Sequence, residues 1–159
     1  RRLLAEHPSA RITVSDISPE SVAALAASDL GRNPRAEVRT VDATAIDAPD
    51  GSFDLAVFAL SFHHLPPPQA VRVLTEATRV ADRFVIVDLA RPPAPLHLIR
   101  LATMVPLVPL WPFAHDGLIS SLRTYSPSAF LELARHAGVD VDVRRAGFGP
   151  QVVIARRRR

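Results

Sequence analysis

The chain has 159 residues, 48% apolar and 22% charged, which suits one soluble globular domain and is too short for two of ordinary size. With no cysteine it holds no disulfide, thiolate metal site or cysteine nucleophile, and this fits a reducing, cytoplasmic setting. A pI of 10.8 suggests a nucleic-acid binder, but the formal charge is only +3 and four of the nineteen Lys and Arg residues form the terminal run 156–159, which reads as a solvated basic tail, so no nucleic-acid partner is expected.

Arg1-Arg2 lead into no long apolar core and so open no signal peptide, and a start at Arg rather than Met suggests a piece of something longer. Arg1 to His7 has the pattern of the last turns of a helix that Pro8 and Ser9 terminate. Ile12 and Val14 predict a strand ending at Asp16, and Ser18-Pro19 supplies an N-cap with proline at the first helical position. The helix from Pro19 to about Ser28 places Val22, Leu25 and Ala26 on one face and stops at Gly31 with Asn33-Pro34. A second strand spans Glu37 to Val41 and runs into Asp42-Ala43, and Pro49-Asp50-Gly51 makes a turn inside the polar stretch Thr44 to Ser52.

Phe53 to Leu60 is the most apolar short run and reads as a strand buried on both faces. After His63-His64-Leu65 and three prolines, Gln69 to Val80 predicts an amphipathic helix with Val71, Leu74, Ala77 and Thr78 toward the core. Arg83 to Leu89 is a further buried strand carrying Asp88 at its end. The segment Arg91 to Phe113 is apolar but broken by prolines 106, 109 and 112 and interrupted by His97 and Arg100, so no membrane span is expected; residues 91–125 read as an acceptor-side lid or a buried connector. Ser126-Pro127 starts a capped helix with Phe130, Leu131, Leu133 and Ala134 on one side, and Gly138 ends it. Val139 to Arg144 and Gln151 to Ala155 close the chain as an antiparallel hairpin around Gly147-Phe148-Gly149. Alternating strands and helices imply an α/β domain over 1–155 with a mostly parallel sheet and helices on both faces.

Three successive strand ends carry groups suited to a ligand: Asp16, then Asp42-Ala43, then Ala59 with the Ser61 to His64 loop. In a parallel sheet such ends share one edge, where open α/β folds bind ligands. A carboxylate at Asp16 can accept two charge-assisted hydrogen bonds from the vicinal hydroxyls of a ribose. Asp42 can accept from an exocyclic amine such as that of adenine, the Ala43 N–H can face a ring nitrogen, and small residues at Ala43 and Ala59 allow close approach of the backbone.

On these residues the chain resembles the class I S-adenosylmethionine-dependent methyltransferases along nearly its whole length. Val14-Ser15-Asp16-Ile17-Ser18-Pro19 is similar to that family's second-strand acidic motif, Val41-Asp42-Ala43 to its adenine-contacting motif, and Ser52-Phe53-Asp54-Leu55 through His63-His64-Leu65 to its fourth strand and following loop. The final hairpin matches the family's antiparallel seventh strand. The resemblance implies a Rossmann-like sheet, S-adenosyl-L-methionine as cofactor, and Asp16, Ile17, Asp42, Ala43 and Ala59 as its contacts. It further implies methyl transfer to a small, perhaps apolar acceptor molecule. The family's first strand and glycine-rich turn have no counterpart here, so the chain is expected to be amino-terminally truncated and, by itself, not a competent enzyme.

His63 and His64 are the candidates for a base that takes a proton from the acceptor, beside a role in structuring the loop. As neighbours they project in different directions and do not chelate, and His115-Asp116 resembles a metal dyad by letters only, so no metal is expected. Asp88 and Tyr125 are further groups that could reach an acceptor. A nicotinamide-dependent Rossmann oxidoreductase, which also has an acid after its second strand, and a non-catalytic α/β remnant are the alternative readings.

Overall fold

The computed structural model describes residues 2–107, 119–145 and 150–158. The expected His115-Asp116 pair, Trp111 and Gly147-Phe148-Gly149 lie outside these residues. A short helix α1 (Arg2–Glu6) is followed by β1 (Ile12–Asp16), α2 (Pro19–Ala27) and β2 (Ala36–Thr40). Then come β3 (Phe53–Ala59), a 3-10 turn at Phe62–His64, α3 (Pro67–Val80) and β4 (Ala81–Asp88). The chain continues through α4 (Ala94–Met104), a 3-10 turn at Val105–Leu107, a helical stretch α5 (119–123), α6 (Pro127–Ala137), β5 (Val139–Arg145) and β6 (Gln151–Arg157).

The described chain forms two compact units, Arg1–Asp47 and Ala48–Arg159. The cause lies in the strand pairing. β1 and β2 form a parallel pair of their own, while β3, β4, β6 and β5 make a separate sheet in that order. In the second sheet β3 and β4 are parallel, and β6 runs antiparallel to both β4 and β5, so a single reversed strand sits among strands of one direction. The expected hairpin is present, with its returning strand inserted between β4 and β5. Among the described residues, β1 and β3 each carry a ladder along one edge only.

In the first unit, Arg35 fixes the connection between α1 and β1. Its guanidinium donates to the carbonyls of Leu4, His7 and Pro8 at 2.7–3.0 Å, tying together the helix end and the turn that follows it. Ser18 caps α2, its side chain accepting from the Ser21 N–H. The helix stops at Ala27, and Gly31 serves a different purpose from the expected stop signal. A Cβ there would meet the Ala26 carbonyl oxygen at 2.1 Å, so only glycine fits this close approach. Ala26, expected on the inner face, is exposed; Val22 and Leu25 are half-buried.

The core of the second unit is built by α3 and α6, which pack on each other and on the sheet. Ala70, Val73, Leu74, Ala77 and Val80 of α3 meet Phe130, Leu133 and Ala134 of α6 and Phe84, Ile86, Val153 and Ala155 of the strands in the buried set. Leu131, expected in this stripe, is 56% exposed, because the inward positions of α6 are 130, 133 and 134. Gly138 closes α6 in the left-handed conformation, its N–H reaching the carbonyls of Ala134 and Arg135.

β3 corrects another expectation. It is not buried on both faces: Ala56 and Phe58 turn inward, while Leu55, Val57 and Ala59 form an exposed row, with Leu55 47% and Val57 58% accessible. The run's continuous apolarity hid an alternation that burial reveals. The basic tail also begins later than expected, since Arg156 and Arg157 belong to β6 opposite Asp140 and Val139, and Arg157 and Arg158 pair with Asp50 and Asp140. α4 is the longest element in the described part of the 91–125 segment, with Leu96, Leu98 and Ile99 exposed and His97 buried. Among the described residues no helix is long and apolar enough to cross a membrane.

Candidate functional site

Each unit presents candidate groups at the carboxyl ends of its parallel strands. In the first unit, Asp16 ends β1 in register with Thr40, the last residue of β2. The ladder goes one step further, because the Val41 N–H donates to the Asp16 carbonyl at 3.1 Å. Asp42 therefore leaves the sheet beside Asp16, and both acids stand exposed on one edge. Asp16 Oδ1 accepts from the Ser18 N–H at 2.8 Å, a local turn that holds the carboxylate while Oδ2 accepts from no described group. Asp42 Oδ1 accepts from both the N–H and hydroxyl of Thr44, at 2.8 and 2.7 Å. Ile17 is 66% exposed beside Asp16, and Ala43 is half-buried. Two immobilised, solvent-facing carboxylates with an apolar side chain between strand and helix suit a polyhydroxylated, amine-bearing ligand.

In the second unit, β3 ends at Ala59 and the next residue, Leu60, takes a left-handed backbone with φ 56°. Leucine avoids this region because its Cβ crowds the carbonyl that follows. The conformation is held from both sides. The Leu60 N–H donates to Val87 O at 2.8 Å, and two residues on Phe62 is fully buried against Phe58, Tyr125 and Phe130.

The next residue, His63, is 4% exposed and bound to Asp88, the last residue of β4. Its main-chain N–H donates to Asp88 Oδ2 at 2.7 Å and its Nδ1 lies 2.6 Å from Oδ1. The Leu89 N–H donates to the same Oδ1 at 2.8 Å. A carboxylate receiving these donors assigns the proton to Nδ1 and leaves Nε2 as an acceptor. His64, in contrast, is exposed and lies against the His63 ring, with centroids 4.1 Å apart. Its pKa is lowered, first by partial desolvation of the ring and then by repulsion from the His63 ring, when that is protonated, and from the Arg123 cation; Asp88 pulls the other way.

Tyr125 does not present a free hydroxyl: it donates to Leu65 O at 2.7 Å, and burial raises its pKa. Sequence reasoning noticed Asp88 as a strand-end acid but not its bond to His63. The signal was available, since neighbouring parallel strands bring their ends together. Gln151 and the backbone of Leu60 gave no warning at all. Among the described residues no three His, Cys, Asp or Glu side chains gather around a common point that would hold a metal ion.

A family model described as a methyltransferase domain matches residues 1–83, more than half of the chain. The chain belongs to the methyltransferase-domain family. Its fold agrees with solved members. A SAM-dependent methyltransferase from Aquifex aeolicus is 21% identical with a TM-score of 0.62, over 91% of this chain and 68% of that one. PigF, solved with SAH, is 16% identical with a TM-score of 0.69, over 98% of this chain and 46% of that one. An O-methyltransferase family 2 protein from Planctomyces limnophilus, in complex with apigenin, is 19% identical with a TM-score of 0.68, over 98% and 45%. The methyltransferase domain described here thus spans less than half the length of the last two. No curated protein matches it by sequence.

Proposed function

We propose that this domain serves S-adenosylmethionine-dependent methyl transfer to a small molecule. The observation that carries the reading is the pairing of Asp16 and Asp42 on one edge, through the Val41 N–H bond to the Asp16 carbonyl. Asp16 would accept from the ribose hydroxyls and Asp42 from the adenine amine, with the Ala43 N–H toward the ring and Ile17 as an apolar neighbour. When bound, S-adenosylmethionine supplies a sulfonium-activated methyl group.

The protein's own part in the chemistry is alignment and removal of a proton. Asp88 holds His63 so that Nε2 is its basic nitrogen. Nε2 would take the proton that the acceptor's oxygen or nitrogen gives up when it is methylated. His64 adds a second, more exposed imidazole at the same loop. α4, with Leu96, Leu98 and Ile99 exposed, is the described part of the acceptor-side segment.

Calorimetric titration of S-adenosylhomocysteine into the polypeptide, with NAD as control, tests the proposal. Binding of the first and not of the second is expected. NAD binding, or no binding of either by any longer polypeptide containing this chain, would overturn it.

A further inference from the structure

We infer that Gln151 is a positioning residue for the His63–Asp88 pair, which it braces through two carbonyl groups. This rests on the reading of His63 as the proton acceptor. Gln151 opens β6, faces Asp88 across the β4–β6 ladder, and is 1% exposed. Its side-chain Nε2 donates to Leu89 O at 2.9 Å and to Tyr125 O at 2.8 Å. Its Oε1 is buried and, among the described residues, has no hydrogen-bond partner. The amide cannot turn over, because Oε1 would then face two carbonyl oxygens. All the hydrogen bonding of this side chain is therefore invested in fixing two segments.

Those segments lead directly to His63. Leu89 follows Asp88, whose carboxylate holds the ring and the main chain of His63. Tyr125 donates its hydroxyl to Leu65 O, two residues beyond His63, and its ring packs on Phe62, the residue before it. The bonds close a circuit from Gln151 through Leu89, Asp88, His63, Leu65 and Tyr125 back to Gln151. The histidine loop is thus gripped on both flanks by groups that share one carboxamide. A buried polar network of this kind acts as a unit, since loosening one link frees its neighbours.

The test is nuclear magnetic resonance of the 15N-labelled chain, reading the His63 Nδ1 proton and the ring nitrogen shifts. In the parent protein the proton is protected from exchange and the ring is the Nδ1–H tautomer. Gln151→Met, similar in size but without the donor, is expected to lose the protected proton and mix the tautomers while circular dichroism shows the fold retained. Tyr125→Phe removes one hydroxyl and should weaken the same signal, and the double variant should be no worse than Gln151→Met alone, because the links are in series. A Gln151→Met protein that is less stable yet keeps the parent His63 signals has lost only packing, and overturns the proposal. If Gln151→Met does not fold, Tyr125→Phe decides, with unchanged His63 signals overturning it. Failure of the parent polypeptide to bind S-adenosylhomocysteine would instead remove the methyltransferase reading, and with it the catalytic meaning of the brace, even if the resonance results were as expected.

Discussion

The carboxylate of Asp88 holds His63 by its main chain and by its ring, at 2.7 and 2.6 Å, with both residues almost wholly shielded from water. Removing the carboxylate strands a buried N–H and a buried imidazole together. Asp88→Ala should therefore destabilise the second unit by about 3–5 kcal/mol, the scale for breaking one side of a buried polar pair. Urea unfolding followed by tryptophan-independent far-ultraviolet dichroism measures this, and a loss below about 1 kcal/mol would mean that the pair is not held as described.

The Asp16 side chain is exposed and, among the described residues, accepts from the local Ser18 N–H alone, so its replacement tests binding with little cost to the fold. Asp16→Ala should weaken S-adenosylhomocysteine binding by about 1–3 kcal/mol in a polypeptide that binds it. Unchanged affinity in a calorimetric titration would remove Asp16 from the site.

Leu60 and Gly138 both have left-handed backbones, with φ of 56° and 67°, and call for opposite substitutions. Leu60 is 59% exposed and has little packing to lose, so Leu60→Gly should stabilise by up to about 1 kcal/mol, the relief of strain less the added freedom of the unfolded chain. Gly138→Ala should destabilise by about 1 kcal/mol by imposing that strain on the end of α6. Thermal melts of the two variants should move in opposite directions.

His64 titrates below the ordinary histidine range because desolvation and nearby cations favour its neutral form. The unfolded chain therefore takes up this proton first as the pH falls. The contribution of neutral His64 to stability is complete above the unfolded value of about 6.5 and is lost as acidification passes through the lower, folded value. Arg123→Ala removes one of the cations and should raise the His64 midpoint. A proton resonance titration that shows no upward movement would refute the assignment.

Much of the first unit was legible because its signals are local. Ser18-Pro19 had to start a helix, and an alternation ending in Asp16 had to leave that acid at a strand end. Asp42 followed by the same logic. The second unit depends on partners distant in sequence. Asp88 is 25 residues from His63 and Gln151 is 62 from Leu89, so their bonds emerge only when β4 is flanked by β3 and β6. Periodicity also misled where apolar residues were plentiful: Leu131 and the Leu55–Val57 row looked like core because nothing in a single strand or helix says which face has a neighbour.

That row has a further consequence for the chain in solution. β3 combines an unpaired edge, among the described residues, with an apolar face at Leu55, Val57 and Ala59, while the corresponding outward positions of β1 are Thr13 and Ser15. An open edge with β-branched and aliphatic side chains is a template for strands from other molecules, whereas a polar one resists them. Self-association of this chain should begin at β3 and rise steeply with concentration, and a lysine in place of Val57 should suppress it while leaving the buried Phe62 and Phe84 undisturbed.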